Sequence, residues 1–214
     1  MKSYEQYCPI ARSLSLVGER WSLLIVRELF FGPKRYTDLV DNLPGIGTNI
    51  LATRLKELES NGLVSKRKLP PPAASTVYAL TPWGRELEPV ILALARWGSR
   101  AMPIPRGDLS TNALVFALET TFDAEAAEGL RARIALVLDG EPFRAEVARR
   151  KLSVMRGEGE SDATITTDAR TLRSVVFGGE ELRRVRRDGA LEIAGDEALA
   201  AQFLALFRRP PPVS

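Results

Sequence analysis

Between Pro44-Gly45 and Asn61-Gly62 lies the run IGTNILATRLKELES, residues 46–60. Leu51, Leu55 and Leu58 recur at i, i+4 and i+7, the spacing of one buried helical face. At about 100° per residue, Asn49, Thr53, Lys56 and Ser60 fall on the opposite side. A helix face made only for water usually carries Glu and Lys in i,i+4 pairs. This one is polar, mostly uncharged and short-chained. The segment therefore has to bolt its leucines to a body and hold out a face suited to hydrogen bonding.

The flanks narrow what that body is. Pro9 suits a first helical turn, and Ile10, Leu14 and Val17 give a short helix ended by Gly18. RWSLLIVRELFFG is an apolar helix stopped at Gly32-Pro33. Lys34, Arg35 and Tyr36 form a short strand or turn. Thr37 caps TDLVDNL, which Pro44 and Gly45 end. Thr48 or Gly47 starts the leucine helix, and Asn61-Gly62 closes it with a left-handed cap. LVSKRKL and STVYALT read as two strands around the tip PPPAA, stiffened by its prolines. Thr81-Pro82 opens a long helix with Trp83, Leu87, Val90, Ile91, Leu94 and Trp97 on one stripe. Pro89 is expected to kink it near Arg85.

Helix, tight turn, helix and basic hairpin make a winged helix-turn-helix, whose second helix enters the major groove of double-stranded DNA. On this reading Asn49 pairs with adenine, and Thr48 and Thr53 contact a base or a thymine methyl. Lys56 reaches phosphate. Arg54, on the flank, is a candidate either to hold phosphate or to brace the domain. Lys66, Arg67 and Lys68 put three cations in the wing, although period-two alternation points Lys66 and Lys68 one way and Arg67 the other. Lys34 and Arg35 are placed to grip the backbone from the other side.

Composition agrees. The chain of 214 residues has no histidine and one cysteine, Cys8. That excludes Ser-His-Asp and Cys-His catalysis, an internal disulfide and most zinc sites. No cofactor is implied. Residues 1–105 hold 14 Lys+Arg against 9 Asp+Glu, a net +5; residues 106–214 hold 16 against 18, a net −2. A basic first half points to a polyanion partner for that half. No apolar run of about 18 residues exists to span a membrane, and the N-terminus lacks a signal-peptide core, so a cytoplasmic address and no membrane partner are expected.

A Pro/Gly/Ser-rich boundary, MPIPRGDLSTN, falls at 102–112. It separates a DNA-binding and dimerisation domain, 1–105, from a second domain, 110–208. In the latter ALVFALETTF reads as a strand with Phe116 and Leu118 on one face, and DAEAAEGL as a turn or short helix. Asp139-Gly140 marks a hairpin. KLSVMRGEGESDATITTD gives two strands joined by Gly-Glu-Gly-Glu. ARTLRSVVFGG is a helix, RRDGALEIAG a strand pair or turn-strand, and DEALAAQFLALF a helix capped by Asp196. The fold class is α+β: a winged domain, then a smaller antiparallel sheet with helices on one face.

CPIARSLSLVGERWSLLIVRELFFGPKRYTDLVDNLPGI, LATRLKELESNGLVSKR and YALTPWGRELEPVILALARWG closely resemble the HxlR-type winged helix-turn-helix regulators, relatives of the MarR group. The resemblance covers about residues 7–100. It implies a homodimeric transcription factor, usually a repressor, with terminal helices at the dimer seam. It also places Thr48, Asn49, Thr53 and Arg54 in the recognition helix, and Lys66, Arg67 and Lys68 in the wing. The chain departs from the family at Gly47, at Asn49 and in the wing tip, so no operator sequence carries over. In that family the N-terminal cysteine can sense electrophiles, which makes Cys8 a redox candidate; the alternative is a small packing residue.

DATITTDARTLRSVVFGG and GALEIAGDEALAAQFLALF are similar to the sterol-carrier-protein-like fold. That resemblance implies an apolar tunnel for a small-molecule or lipid ligand, with Phe116, Phe143, Val154, Phe177, Phe203 and Phe207 as its lining; the alternative is solid core. Two other functions remain beside a ligand-modulated repressor: a lipid carrier whose winged domain only dimerises, and a thiol-sensing regulator acting through Cys8. An enzyme using carboxylates such as Glu119 and Asp139 is disfavoured, since nothing in the pattern brings two of them together.

Overall fold

A computed structural model describes residues 4–70, 74–103, 107 and 109–211. The chain divides into two compact units, Met1–Ile91 and Leu92–Ser214. Among the described residues no helix is long and apolar enough to cross a membrane.

The first unit runs α1 (Pro9–Val17), α2 (Ser22–Leu29), β1 (Lys34–Arg35), α3 (Tyr36–Asn42), α4 (Thr48–Ser60), β2 (Val64–Lys68), β3 (Thr76–Leu80) and α5 (Pro82–Arg85). The strands form an antiparallel sheet in the order β1-β3-β2, with Lys34 opposite Tyr78 and Arg67 opposite Val77. Ile25, Val26 and Leu29 of α2, Leu39 of α3, Leu51, Leu55 and Leu58 of α4, and Val77 and Leu80 of β3 make the core.

Local chemistry sets the boundaries. Helix α2 starts at Ser22, because Trp21 takes a left-handed φ of 82° just before it. Helix α3 is capped two residues earlier than expected, at Arg35 rather than Thr37. Its cap comes from Asp38, whose carboxylate accepts the Arg35 N–H at 2.8 Å, and Thr37 lies inside the helix. Helix α4 ends as the sequence implies: Gly62 adopts φ 73°, its N–H donates to Glu59 O, and the Leu63 N–H reaches back to Leu58 O at 2.9 Å. The proline tip of the hairpin, residues 71–73, lies outside the described residues.

The expected long kinked helix is instead two: α5, and α6 (Glu88–Gly98), which spans the division between the units. Thr81 starts α5 by accepting the Gly84 N–H. Pro89 falls at the second position of α6, where its missing N–H costs nothing, so the chain restarts there rather than bending. Ile91 is buried, but Trp83, Val90, Leu94 and Trp97 are 47%, 54%, 46% and 76% exposed.

The second unit continues with α7 (Thr111–Thr121), β4 (Ala132–Leu138), β5 (Glu141–Ala148), β6 (Lys151–Arg156), β7 (Ala163–Thr167), α8 (Ala169–Phe177), α9 (Leu182–Arg187), β8 (Leu191–Gly195) and α10 (Glu197–Leu204). Here the structure corrects the sequence reading twice. ALVFALETTF is the helix α7, capped by Ser110 accepting the Ala113 N–H. Residues from Asn112 to Thr121 are buried on several sides of it, which erases the one-sided stripe that marks an ordinary helix. Of the two readings of RRDGALEIAG the turn-strand holds: α9 ends at Arg187, the chain turns at Asp188-Gly189, and β8 follows. The sheet, ordered β6-β5-β4-β7-β8, is mixed, because β4 and β7 are parallel.

That parallel pair explains Gly157–Asp162. The segment joins β6 to β7 without pairing them and passes beside the Arg133 and Arg144 side chains of β4 and β5. Arg133 fastens it through Glu160 and Asp162, both at 2.9 Å. The opposite face alternates Ile134, Leu136 and Leu138 on β4 with Phe143, Ala145 and Val147 on β5, and buries them under helices. Helix α7 lies against β6, and α10 lies over β4, β7 and β8.

Candidate nucleic-acid interface

Helix α4 presents two unlike sides. Leu51, Leu55 and Leu58 are at most 1% exposed, while Thr48, Asn49, Thr53, Lys56 and Ser60 are all exposed. The start of the helix is held from outside, where the Tyr36 hydroxyl donates to the Thr48 carbonyl at 2.7 Å. The Thr53 hydroxyl donates to Asn49 O at 2.8 Å, which fixes its rotamer. Ile50, absent from the sequence reading, is 45% exposed beside them. An isoleucine off the leucine stripe was the available signal, and its apolar surface suits a thymine methyl.

Arg54 is paired within the protein. Its guanidinium pairs with Glu57 and, at 3.4 Å, with Glu19, and its side chain is only 16% exposed. It braces α4 against the end of α1. These groups border an open cleft of about 800 Å³ that Leu14, Ser60 and Asn61 also line.

In the hairpin, residues Ser65 to Lys68 are all exposed. Because β2 is an edge strand, Arg67 meets solvent despite pointing opposite to its neighbours. The Lys66 ammonium sits 5.7 Å from the Tyr78 ring centre. On β1 the two candidates part: Arg35 is exposed, but Lys34 is 8% exposed and has little surface to offer a duplex. Its burial follows from strand alternation, which turns Lys34 inward and Arg35 outward. Cys8 is half-buried at the N-terminal boundary of α1.

The sequence of the winged half matches known proteins. The HxlR-like helix-turn-helix family model covers residues 16–105. The regulator YodB of Bacillus subtilis is 38% identical over 94 residues, which is 44% of this chain and 84% of YodB. The chain belongs to the HxlR-like helix-turn-helix family. Another HxlR-like relative, the HTH-type transcriptional regulator sll1512 of Synechocystis, is 40% identical over 92 residues, or 43% of this chain and 68% of that one. The regulator Rv3095 of Mycobacterium tuberculosis is 42% identical over 98 residues, but the match spans only 61% of its length.

This HxlR-like chain carries a second family as well. Residues 107–213 match the alkyl sulfatase C-terminal family, to which its second half belongs. Of the six residues expected to line a tunnel there, Phe116, Phe143, Val154, Phe203 and Phe207 are at most 7% exposed. Phe203 and Phe207 meet edge to face at 5.1 Å, and the Arg156 guanidinium lies 4.8 Å from the Phe143 ring centre. Phe177 is half-buried, with the Arg209 guanidinium 5.5 Å from its ring centre. Glu119 accepts the Val154 N–H at 3.2 Å, and Asp139 accepts the Thr111 hydroxyl and the Ala169 N–H. Both carboxylates are engaged in structural bonds, on different elements.

Proposed function

We propose that this DNA-binding transcriptional regulator is a homodimeric repressor that reads its operator with the outer face of α4. Asn49 contacts a base edge with two hydrogen bonds, and Thr48 and Thr53 contact bases or thymine methyls. Lys56, Arg35 and the wing cations Lys66, Arg67 and Lys68 neutralise phosphates and set register. Arg54 holds the helix in place. The observation that carries the reading is the sharp division of α4 between sealed leucines and open polar groups.

The homodimer rests on exposed apolar surface near the ends of the winged domain. Tyr7, Ile10 and Leu14 on one side of the sequence, and Val90, Leu94 and Trp97 on the other, are all more than 40% exposed. Apolar patches of this kind mark association surfaces.

The test is genomic footprinting to find the operator, followed by titration of Asn49→Ala on operator and random duplexes. The variant should lose about 1–3 kcal/mol on the operator alone. Equal losses on both duplexes would show that Asn49 does not read sequence.

Membership of the alkyl sulfatase C-terminal family supports a second element of the proposal: an apolar ligand in the second unit tunes operator affinity. The ligand would have to part Phe203 and Phe207 from their neighbours. Decanoate added to the protein should then shift operator affinity, and unchanged affinity at saturating decanoate would remove this element.

A further inference from the structure

The two hairpin turns of the second unit solve the same backbone problem with different residues. Between β4 and β5 the turn is Asp139-Gly140, with φ 52° and 78°. Between β5 and β6 it is Arg149-Arg150, with φ 52° and 62°. Ala148 pairs with Lys151 across it, so the loop has two residues and both are left-handed. Such turns strongly favour Asn-Gly or Asp-Gly, because a side chain at positive φ is strained. The first turn follows that preference; the second sets it aside at both positions in favour of arginine.

The neighbours of the second turn share its charge. Lys151 follows it, and Arg131 precedes β4, the next strand over, at the same end of the sheet. Arg131, Arg149, Arg150 and Lys151 are all exposed. They lie across three adjacent strand ends, a span of about 10 Å at the usual strand spacing. Among the described residues no ion pair engages Arg131, Arg149 or Lys151. Arg150 donates through Nε to Ala124 O at 2.9 Å, which fixes the turn to the segment before β4. The exposed carboxylates on that segment are Glu125 and Glu128, two against four cations. This concentration stands in a half of the chain whose net charge is negative.

We infer that the β5–β6 turn is a second DNA contact, at which Arg149, Arg150, Lys151 and Arg131 hold the phosphates of a duplex. The inference rests on the DNA-binding reading above and adds the second unit to the footprint. A convex, cationic strand end needs no cavity to hold phosphate, and long flexible side chains suit contacts that carry no sequence information.

The test uses the full chain and a 30-bp duplex of random sequence, with affinity measured across salt concentrations. Arg149→Asn/Arg150→Gly restores ordinary turn chemistry. It should lower the slope of log affinity against log salt by about 1–2, roughly 0.9 for each phosphate left without its cation. Arg131→Gln/Lys151→Gln leaves the turn alone and should also lower the slope. A reduced slope in either variant supports the contact; an unchanged slope in both overturns it. Lys66→Ala/Arg67→Ala/Lys68→Ala separates this from the reading beneath it. If only that variant weakens binding, the wing stands and the turn contact falls. If only the turn variants weaken binding, the wing assignment falls instead.

Discussion

Gly84 shows how one residue ties the wing to the helix behind it. A Cβ built there would lie 2.1 Å from the Leu63 carbonyl oxygen and 3.3 Å from Leu80 Cδ2. That carbonyl already accepts the Thr81 N–H at 3.0 Å. Gly84→Ala should therefore push α5 off the base of the hairpin and cost about 1–3 kcal/mol in urea unfolding; unchanged stability would contradict this packing. Gly84 lies in the stretch YALTPWG that carries the family resemblance, and this contact is a physical reason for a glycine there. Asp162 gives a prediction of another kind. The Arg133 guanidinium bonded to it, then the Arg133 N–H, hold its carboxyl below the usual range. A depressed folded pKa contributes stability above the unfolded value of about 3.9 and loses it as pH falls through the folded value. The second unit should lose stability below about pH 4, and Asp162→Asn should flatten that acid limb. An identical acid limb in the variant would contradict the pairing.

At the scale of elements, legibility followed periodicity. Helix α4 could be drawn from three leucines and its cap, because one face is sealed and the other open. Helix α7 could not, since burial on several sides removes the contrast that a period needs. Asp139-Gly140 announced its turn, whereas Arg149-Arg150 carries no turn signature. In the site, the exposure of Asn49, Thr53 and Lys56 followed from helical spacing, but the partners of Arg54 did not: Glu19 is far away in sequence. The stripe on α6 is where an element-scale prediction belongs. With Leu94 and Trp97 open on the single chain, Leu94→Glu/Trp97→Glu should turn a dimer into a monomer in sedimentation. A mass unchanged from wild type would show that the chain associates elsewhere or not at all.

The whole molecule joins two families in one chain, and its charge follows the join: the first half is basic and the second slightly acidic. That contrast could be counted from the sequence. The parallel β4–β7 pair could not, because it depends on long-range register rather than on any local signal. Operator recognition depends on where α4 lies when DNA is bound. The single cysteine makes that directly measurable: in a Cys8→Ser/Thr53→Cys protein, an iron chelate tethered at position 53 cuts nearby DNA. Two discrete clusters of cleavage facing the major groove, about one helical turn apart (~34 Å), are the predicted result. Scattered cutting no stronger than that of untethered iron chelate would show that this face of α4 never enters the groove.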